Sequence, residues 1–368
     1  MSEQFNSKDY GEYFSALEKS IEKKSQPDYV TAQKVSLQKD KNIPKLKLRP
    51  QVLVAVALVI ILIVVLSIIP KSKNGDKVTS SVQDTTGVVS DVKENEEEKI
   101  DNFAKYTSNT KDISSDIISQ SVIVINCENN QVVAARNASE RCYPASTTKI
   151  MTMLTAVDYI TDYNDTFTFT YEVTDPFFEQ GATIAGFKNK EAVNMTDMLY
   201  GAILPSGADA TAGLSIKIAG SEEAFVKLMN KKARELGLKN TNFTNASGLF
   251  DKNHYTTAED MAVIIRAAMQ NELCKKILST YQYTTQPTPQ NTDGILLTST
   301  LFSHMYGTEP EGADILGGKT GFVNESGYCI ASFGKSDLGT EYVCVTLKGQ
   351  SLWPTIYDQI NLYTQYAK

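Results

Sequence analysis

Histidine is scarce in this sequence of 368 residues, which contains only His254 and His304. The scarcity argues against a histidine-based metal site, and a Ser-His-Asp triad would have to use one of these two side chains. Cysteine is sparse as well, and the five cysteines include no CxxC pair, which excludes zinc ribbons and thioredoxin-like motifs. Positive charge is in deficit, with a net charge of -7 and a pI near 5.1, so we expect no nucleic-acid partner.

Long apolar runs are absent except for residues 52–69, where Ser67 is the one polar residue. As a helix this run would span about 27 Å, which is enough for the hydrocarbon core of a bilayer. A buried core helix is the alternative, but a helix that is apolar all round does not fit an amphipathic core helix. A cleaved signal peptide is disfavoured because about fifty residues precede the run and no A-x-A-like site follows it. We therefore expect a transmembrane signal anchor over residues 51–70.

Flanking charge sets the expected orientation of this anchor. One acid and five bases precede it: Asp40, Lys39, Lys41, Lys45, Lys47 and Arg49. Because positive flanks stay in the cytoplasm, residues 1–50 are expected to form a largely disordered cytoplasmic tail. Residues 71–116 are rich in Ser, Thr, Asn, Asp, Glu and Lys, which predicts an extracellular linker. Residues 117–368 would then form one folded domain outside the cell.

Within that domain, strands are predicted near both ends and helices between them. Residues 121–126 and 131–136 are β-rich and flank the turn residues ENN, which predicts a hairpin. Further strands are predicted at 315–318, 328–333 and 342–347. Helices are predicted at 146–160, at 196–236 with a break near Pro205, from an N-cap at Thr256 to about Gln270, and at 353–366. This order predicts an α+β fold whose sheet joins the two ends of the domain.

Ser146-Thr147-Thr148-Lys149 fits the pattern S-x-x-K, which five other serines also begin: Ser20, Ser36, Ser90, Ser108 and Ser332. Only Ser146 follows a Pro-Ala turn and opens an apolar helical run, where residues i and i+3 share a face. Lys149 would then hold its amine beside the Ser146 hydroxyl, and could act as its base if burial lowers the lysine pKa. The alternative is a helix N-cap followed by a solvent-facing lysine.

Two further motifs could carry chemistry. In Lys319-Thr320-Gly321, a lysine on an exposed strand edge can bind a substrate carboxylate, the threonine adds a hydroxyl donor and the glycine lets another backbone approach. The alternative is a loop lysine after a turn. In Ser206-Gly207-Ala208-Asp209, the structural alternative is a helix start with Ser206 as N-cap and Asp209 at N3, which is compatible with a catalytic role.

The three motifs are collinear, separated by sixty and then 113 residues, and with their surroundings they make residues 117–368 resemble a known family. That family is the serine D-Ala-D-Ala carboxypeptidases, the low-molecular-mass penicillin-binding proteins of peptidase family S11. The segments that carry the resemblance are YPASTTKIMT (143–152), ILPSGADA (203–210), AGSEEAFVKLMNKKARELGL (219–238), TNFTNASGL (241–249), HYTTAEDMA (254–262) and GGKTGFVNESGYC (317–329). The resemblance implies a β-lactamase/transpeptidase-like α+β fold, an antiparallel sheet flanked by helices, here preceded by one transmembrane helix.

The resemblance also implies the reaction and its catalytic residues. Ser146 would be the acyl-ester nucleophile, Lys149 its base, and Ser206 a relay that carries a proton toward the leaving amine. The terminal D-alanine would be removed from peptidoglycan stem peptides, and the acyl-enzyme would then be hydrolysed. β-Lactams would bind as inhibitors, and no metal or organic cofactor would be needed.

The resemblance places substrate binding on the K-T-G segment. Lys319 and Thr320 would hold the terminal carboxylate, with Gly321 beside them. The backbone N–H groups of Ser146 and Phe322 would form the oxyanion hole.

One position departs from the family pattern. The second motif is usually S-x-N, and Ala208 stands where the asparagine is expected. The missing amide would remove one positioning hydrogen bond, worth roughly 0.5–3 kcal/mol or up to ~100-fold in rate. Two alternatives stay open beside the carboxypeptidase: a β-lactamase-like hydrolase, which shares this chemistry, and a non-catalytic sensor of wall fragments or β-lactams, which Ala208 leaves open.

The remaining histidine and cysteine residues are given structural interpretations. His254 lies in the HYTTAEDMA segment and is expected to support the site from a loop. Cys329 could pair with Cys344, and Cys127 with Cys142, in the oxidising space outside the cell. Buried free thiols are the alternative.

Overall fold

A computed structural model describes residues 102–305 and 307–368. Over these residues the strands are β1 (Lys111–Asp112), β2 (Ser121–Asn126), β3 (Gln131–Arg136), β4 (Thr166–Thr168), β5 (Ala192–Asn194), β6 (Gln282–Thr284), β7 (Leu296–Thr298), β8 (Ala313–Val323), β9 (Gly327–Ser336) and β10 (Glu341–Gly349). The helices are α1 (Thr148–Tyr159), α2 (Tyr171–Glu179), α3 (Met195–Ile203), α4 (Ala208–Ala219), α5 (Glu222–Glu235), α6 (Ala258–Gln270), α7 (Glu272–Leu278), α8 (Phe302–Met305) and α9 (Leu352–Tyr366). A 3-10 helix, Ala145–Thr147, precedes α1.

The main sheet joins the two ends of the described chain, as the sequence predicts. Its strand order is β1-β3-β2-β10-β9-β8. The short β1 runs parallel to β3, and all other neighbours are antiparallel. The predicted hairpin at 121–136 is confirmed as β2–β3. Strand β8, which carries the K-T-G segment, lies at the edge of this sheet.

Both faces of the sheet are buried. Successive side chains of a strand point to opposite faces, so the buried residues of one strand belong to two different cores. In β2, Ile123 and Ile125 pack into the larger core with residues of α1 and α6, whereas Val122 and Val124 pack with Tyr363 and its neighbours from α9. The sheet therefore lies between α9 on one face and the remaining helical region on the other. This arrangement is the α+β fold that the sequence predicts.

The ordered domain begins earlier than the sequence indicates. Residues 102–116 were expected to belong to the linker, but β1 pairs with β3 and Ile113 is buried. The Arg136 guanidinium donates to the carbonyl oxygens of Ile113, Ser114, Ile117 and Ser119 at 2.6–3.2 Å. These bonds hold the polar segment against the sheet, so the part of 71–116 from residue 102 onward belongs to the domain.

Two predicted helix caps are displaced by one residue. The N-cap of α4 is Gly207, not Ser206, and the Ser206 side chain makes no capping bond. The N-cap of α6 is Thr257, not Thr256, and its side chain accepts a hydrogen bond from the backbone N–H of Asp260. Ser206 cannot cap because its φ of +69° places it in the left-handed region.

The predicted transmembrane run, residues 52–69, and the predicted tail lie outside the described residues. Across 102–305 and 307–368, every helix is too short or too polar to cross a bilayer. All five cysteines fall within the described part and are free thiols: Cys127, Cys142, Cys274, Cys329 and Cys344. The structure thus has buried or half-buried thiols in place of the two disulfides that were considered.

Candidate active site

Ser146 lies in the 3-10 helix that leads into α1, and its position depends on a strained turn before it. Ala145 has a φ of +47°, an unusual conformation for a residue with a side chain. The turn is closed by Thr147, whose hydroxyl donates to the Pro144 carbonyl at 2.6 Å. One helical turn after Ser146, Lys149 points its ammonium nitrogen back, and Lys149 Nζ lies 3.0 Å from Ser146 Oγ.

Lys149 is 2% exposed, and no carboxylate of the described residues contacts it directly. Its Nζ also donates to the Ser247 carbonyl at 2.5 Å. Burial lowers the pKa of Lys149 to about 7, against the opposing influence of the more distant Asp209 and Glu222 carboxylates. Near neutral pH a large fraction of this amine is therefore unprotonated, and it can accept a proton from the hydroxyl beside it.

Ser206 faces the same cleft from the loop between α3 and α4. Its left-handed backbone is held by flanking hydrogen bonds, in which Gly207 N–H donates to the Gly201 carbonyl at 2.9 Å and Ala208 N–H to that of Thr183 at 2.8 Å. Within the described part of the chain, the Ser206 hydroxyl has no hydrogen-bond partner. Strain retained at a buried serine in a cleft is typical of functional sites.

Asp209 attaches a loop of the chain to the start of α4, beside Ser206. Its carboxylate accepts hydrogen bonds from the backbone N–H groups of Ala185, Gly186 and Phe187 at 2.7–3.3 Å. Burial raises the pKa of this carboxyl, and the backbone donors oppose the rise. The loop that includes Thr183 is thereby attached to the first turn of α4, next to Ser206.

Lys319 is buried beneath the far wall of the cleft and is 1% exposed. Its Nζ donates to the Thr320 carbonyl at 2.9 Å and lies 3.4 Å from Thr300 Oγ1. The hydroxyls of Thr300 and Thr320 are hydrogen-bonded at 2.7 Å, and both residues line the cleft. Burial and the charge of Lys149 hold the pKa of Lys319 well below its ordinary value. An anion bound here would supply the counter-charge that this lysine lacks.

Two glycines let other segments approach the Ser146 turn. A Cβ on Gly321 would lie 2.7 Å from the Ser146 backbone nitrogen and 2.9 Å from that of Thr147. Gly248 has a φ of +82°, and a Cβ there would lie 1.9 Å from the Ala145 carbonyl oxygen. Strand β8 therefore runs directly alongside the backbone of Ser146, which brings the predicted oxyanion-hole residue Phe322 next to this turn.

His254 packs against the start of α1 and is hydrogen-bonded to Thr148. Thr244 N–H donates to His254 Nδ1 at 3.1 Å, so Nε2 carries the proton and donates to Thr148 Oγ1 at 2.8 Å. Burial lowers the pKa of His254 to about 4, so the ring is neutral at physiological pH. His254 does not line the cleft, in agreement with the structural interpretation of its sequence segment.

The cleft formed by these elements has a volume of about 700 Å³. Its lining includes Ser146, Lys149 and Ser206, together with the apolar or aromatic side chains Leu249, Phe250, Phe322, Tyr328 and Leu352. Phe322 and Tyr328 stack with ring centroids 4.4 Å apart. Among the described residues, no three His, Cys, Asp or Glu side chains are grouped so that they could hold a metal ion.

Comparison with known proteins assigns the chain to a family. The family described as D-alanyl-D-alanine carboxypeptidase matches residues 105–351. The chain belongs to this family. Among its curated members, the D-alanyl-D-alanine carboxypeptidase DacF of Bacillus subtilis is 32% identical over 216 residues, which cover 59% of this chain and 54% of DacF. The D-alanyl-D-alanine endopeptidase of Pseudomonas aeruginosa is 28% identical and is covered to 67%.

Solved structures of the family share the fold. The Streptomyces K15 DD-transpeptidase matches with a TM-score of 0.60 and 25% identity, covering 67% of this chain and 97% of that one. Penicillin binding protein 5 of Haemophilus influenzae matches with a TM-score of 0.59 and 28% identity, covering 67% and 70%. The chain spans about half the length of DacF and of other curated relatives that it matches.

The structure brings all the site residues predicted from the sequence to one cleft or to its immediate wall. Ser146, Lys149, Ser206, Thr320, Gly321 and Phe322 line it, and Lys319 lies buried directly behind Thr320. Ala208, where the resemblance in sequence leads us to expect an asparagine, also lines the cleft.

Sequence reasoning missed three participants. The Ser247 carbonyl binds Lys149, Thr300 joins Lys319 to Thr320, and His304 lines the cleft beside Thr300. Ser247 lies in the TNFTNASGL segment, so the resemblance held a signal for it. Thr300 and His304 lie outside every segment that carries the resemblance.

Proposed function

We propose that this protein is a serine-type D-Ala-D-Ala carboxypeptidase that removes the terminal D-alanine from peptidoglycan stem peptides and is acylated by β-lactams. The observation that supports this most strongly is the pair Lys149 Nζ–Ser146 Oγ at 3.0 Å, with a lysine pKa of about 7. A serine hydroxyl is a weak nucleophile until a base within hydrogen-bond reach takes its proton. Here the base is in place, and much of it is unprotonated at physiological pH.

Acylation would begin with transfer of the Ser146 proton to Lys149 as Oγ attacks the carbonyl carbon of the D-Ala-D-Ala peptide bond. Negative charge would develop on the carbonyl oxygen, facing the backbone N–H groups of Ser146 and Phe322. Lys149 would pass the proton to Ser206, whose hydroxyl would donate it to the leaving amine. D-alanine departs and the peptide remains as an ester on Ser146.

Deacylation would reverse these roles. A water molecule attacks the ester carbon, its proton passes to Lys149, and Ser146 Oγ leaves with a proton. No metal ion or organic cofactor enters this scheme. The molecule that attacks the ester defines the reaction. Attack by water is the carboxypeptidase reaction, and attack by an amine is a transpeptidase reaction.

Substrate would bind with its terminal carboxylate against the wall formed by Thr300 and Thr320, in front of Lys319. A carboxylate in this place offsets the cost of burying the lysine charge. The same wall would receive the carboxylate of a β-lactam. The apolar and aromatic side chains that line the cleft would contact the rest of the stem peptide.

We further propose that the chain is a single-pass membrane protein with a cytoplasmic N-terminus and the domain outside the cell. The support is in the sequence: the apolar run 52–69 and the basic residues that precede it. Peptidoglycan is an extracellular polymer, so this orientation is the one the proposed activity requires.

The activity is tested by measuring D-alanine release from a peptide that ends in D-Ala-D-Ala. We expect release by the full-length protein and loss of release in Ser146→Ala. Ser108→Ala is the matched control, because Ser108 also begins an S-x-x-K pattern but is exposed and outside the cleft. An active Ser146→Ala variant, or an inactive wild-type protein, would contradict the proposal.

The same preparation separates the alternatives. A β-lactamase-like hydrolase would turn over penicillin rapidly and release no D-alanine. A non-catalytic sensor would bind the peptide or penicillin without any turnover. Adding glycine as an amine acceptor would reveal a transpeptidase reaction as a new peptide product.

A further inference from the structure

Glu222 is the first residue of α5 and lies outside the lining of the cleft. We propose that Glu222 is a positioning residue for the base Lys149. It would act in two ways: its hydrogen bond holds the loop of residues 244–249 against Lys149, and its negative charge acts on the amine from a distance. This inference rests on the proposed carboxypeptidase function and deepens it.

Lys149 depends on this loop because it has few other partners. Among the described residues, its Nζ bonds the Ser146 hydroxyl at 3.0 Å and the Ser247 carbonyl at 2.5 Å, and nothing else. The resemblance in sequence leads us to expect an asparagine amide nearby, but Ala208 has only a methyl group to offer. Since the Ser146 hydroxyl is itself the reacting group, the Ser247 carbonyl is the fixed acceptor that orients the amine.

A hydrogen bond attaches the loop to α5. The Glu222 carboxylate accepts from the backbone N–H of Ala246, the residue before Ser247, at 2.9 Å. On its other side, the Ala246 carbonyl accepts from the Thr152 hydroxyl at 2.7 Å, and Thr152 lies on α1 three residues after Lys149. Ala246 therefore connects α5 to the helix that carries the base. A hydrogen bond to a carboxylate is stronger than one to a neutral acceptor, so the Glu222 bond is well suited to this task.

Asn245 closes the loop into a turn. Its side-chain oxygen accepts from the Gly248 N–H at 2.7 Å and from the Ser247 hydroxyl at 3.2 Å, and its amide donates to the Leu249 carbonyl at 2.9 Å. Because these bonds join both sides of Ser247, a shift of Ala246 would displace the Ser247 carbonyl with it. Loss of the Glu222 bond should therefore reach Lys149.

Glu222 also acts through its charge, since it forms no ion pair in the part of the chain that the structure describes. Burial lowers the pKa of Lys149, and the carboxylates of Asp209 and Glu222 oppose this effect. The other ionisable groups that face Lys149 are Lys319 on β8 and His254. Asp209 also binds three backbone N–H groups of another loop, so its replacement would disturb more than charge. Glu222 has one bond, which an amide oxygen can replace.

Two substitutions separate the hydrogen bond from the charge. Glu222→Gln removes the charge and keeps an oxygen that can accept from Ala246, whereas Glu222→Ala removes both. Glu223→Gln is the matched control, because Glu223 lies in the same first turn of α5 but is exposed and bonds to Ser221 rather than to the loop.

The experiment measures the rate of Ser146 acylation by a fluorescent penicillin as a function of pH, using the full-length protein. In Glu222→Gln, the rate at high pH should stay at the wild-type value and the midpoint of the profile should fall by about 0.5–1 pH unit, because loss of a negative charge favours the neutral amine. In Glu222→Ala, the rate at high pH should also fall, by about tenfold, because Lys149 is no longer held in place. Glu223→Gln should match the wild type.

Three results would overturn the proposal: an unmoved midpoint in Glu222→Gln, an equal shift in Glu223→Gln, or an undiminished rate at high pH in Glu222→Ala. A residue that only stabilised the fold would not move the midpoint of the profile in Glu222→Gln.

Failure of the proposed function itself would look different, because the wild type would then not be acylated. In that case the neutral fraction of Lys149, which lines the cleft, is measured by trace acetylation with acetic anhydride across pH and mass mapping of the peptide that contains Lys149. This reaction requires a neutral amine and no acyl-enzyme. The same downward shift is expected in Glu222→Gln and none in Glu223→Gln. Equal midpoints in Glu222→Gln and wild type would reject the role of Glu222.

Discussion

Lys149 has an environment very different from that of a lysine side chain in water. It is buried, contacts no carboxylate in the part of the chain that the structure describes, and hydrogen-bonds through Nζ to the Ser146 hydroxyl and the Ser247 carbonyl. A lysine held this way is costly for the fold unless its pKa falls, which it does, to about 7. The cost is consistent with a role as base.

The first prediction is a pH profile. Lys149 accepts a proton only when neutral, so the acylation rate should rise with pH up to about 7 and level off above it. Lys149→Arg should lower acylation by about 10²–10⁴-fold at every pH, because a guanidinium does not lose its proton. Stopped-flow acylation with a fluorescent penicillin measures both.

Lys232→Arg is the control for this substitution. Lys232 lies outside the cleft and forms an ion pair with Asp158, which belongs to the same helix as Lys149. The acylation rate of Lys232→Arg should equal that of the wild type. A Lys149→Arg variant that keeps its rate would remove Lys149 from the mechanism.

The second prediction concerns the missing amide. Ala208 is 2% exposed and lines the cleft beside Ser206. Ala208→Asn should change acylation or turnover by up to ~100-fold, since it restores a hydrogen-bonding group at the reacting centre. Ala208→Leu adds comparable volume without an amide and serves as the control. If acylation and turnover are both unchanged in Ala208→Asn, this residue does not limit the enzyme.

At the scale of elements, the site is formed by the start of α1, two loops and the edge strand β8. The edge strand β8 approaches most closely, because Gly321 has no Cβ to separate it from the Ser146 backbone. Displacing this strand would move the K-T-G segment and the Phe322 amide away from Ser146 together.

The third prediction tests that contact. Gly321→Ala places a Cβ 2.7 Å from the Ser146 nitrogen, so the strand or the turn must shift. We expect acylation to fall by on the order of 100-fold, as for a misplacement of about 1 Å. Gly220→Ala, at the left-handed end of α4 with open space around it, should cost about 1 kcal/mol of stability and leave acylation intact. Equal acylation in Gly321→Ala and wild type would show that the close approach is unimportant.

The features that the sequence predicts correctly depend on local spacing, and those that it misses depend on residues elsewhere in the chain. The spacing of Ser146 and Lys149 predicts their contact, because i and i+3 share a helix face. The polar segment before Ile117 reads as a linker, since its attachment depends on Arg136, which lies further along the chain. Ser206 reads as an N-cap, but the loop bonds of the two residues after it impose a left-handed backbone.

The parts of the site that the sequence did not reveal come from long-range contacts. Asp209 resembles a helix N3 residue, yet its carboxylate binds backbone amides more than twenty residues away. Thr300 follows strand β7, and its hydroxyl bonds that of Thr320, twenty residues further along the chain on the edge strand β8. No local pattern encodes either contact.

At the scale of the whole molecule, the sequence divides into a polar N-terminal region with one apolar run and a domain whose sheet joins its ends. The family match covers residues 105–351, so the apolar run lies outside it. An anchor at 52–69 would hold the domain near the membrane and within reach of newly made wall.

The fourth prediction concerns that anchor. The full-length protein should fractionate with membranes and resist extraction by high salt, since an apolar helix binds by the hydrophobic effect rather than by charge. Replacing Val59 and Ile60 by aspartate should release it into the soluble fraction, because charged residues at the centre of a span oppose insertion. Membrane association that survives this change, or that salt removes, would contradict a transmembrane anchor.

The central claim is that Ser146 forms the acyl-enzyme. It is tested most directly by incubating the full-length protein with a labelled penicillin and mapping the adduct by mass spectrometry. The account predicts one adduct, on the peptide that contains Ser146, absent in Ser146→Ala. An adduct on another residue, or none together with no D-alanine release from a D-Ala-D-Ala peptide, would contradict it.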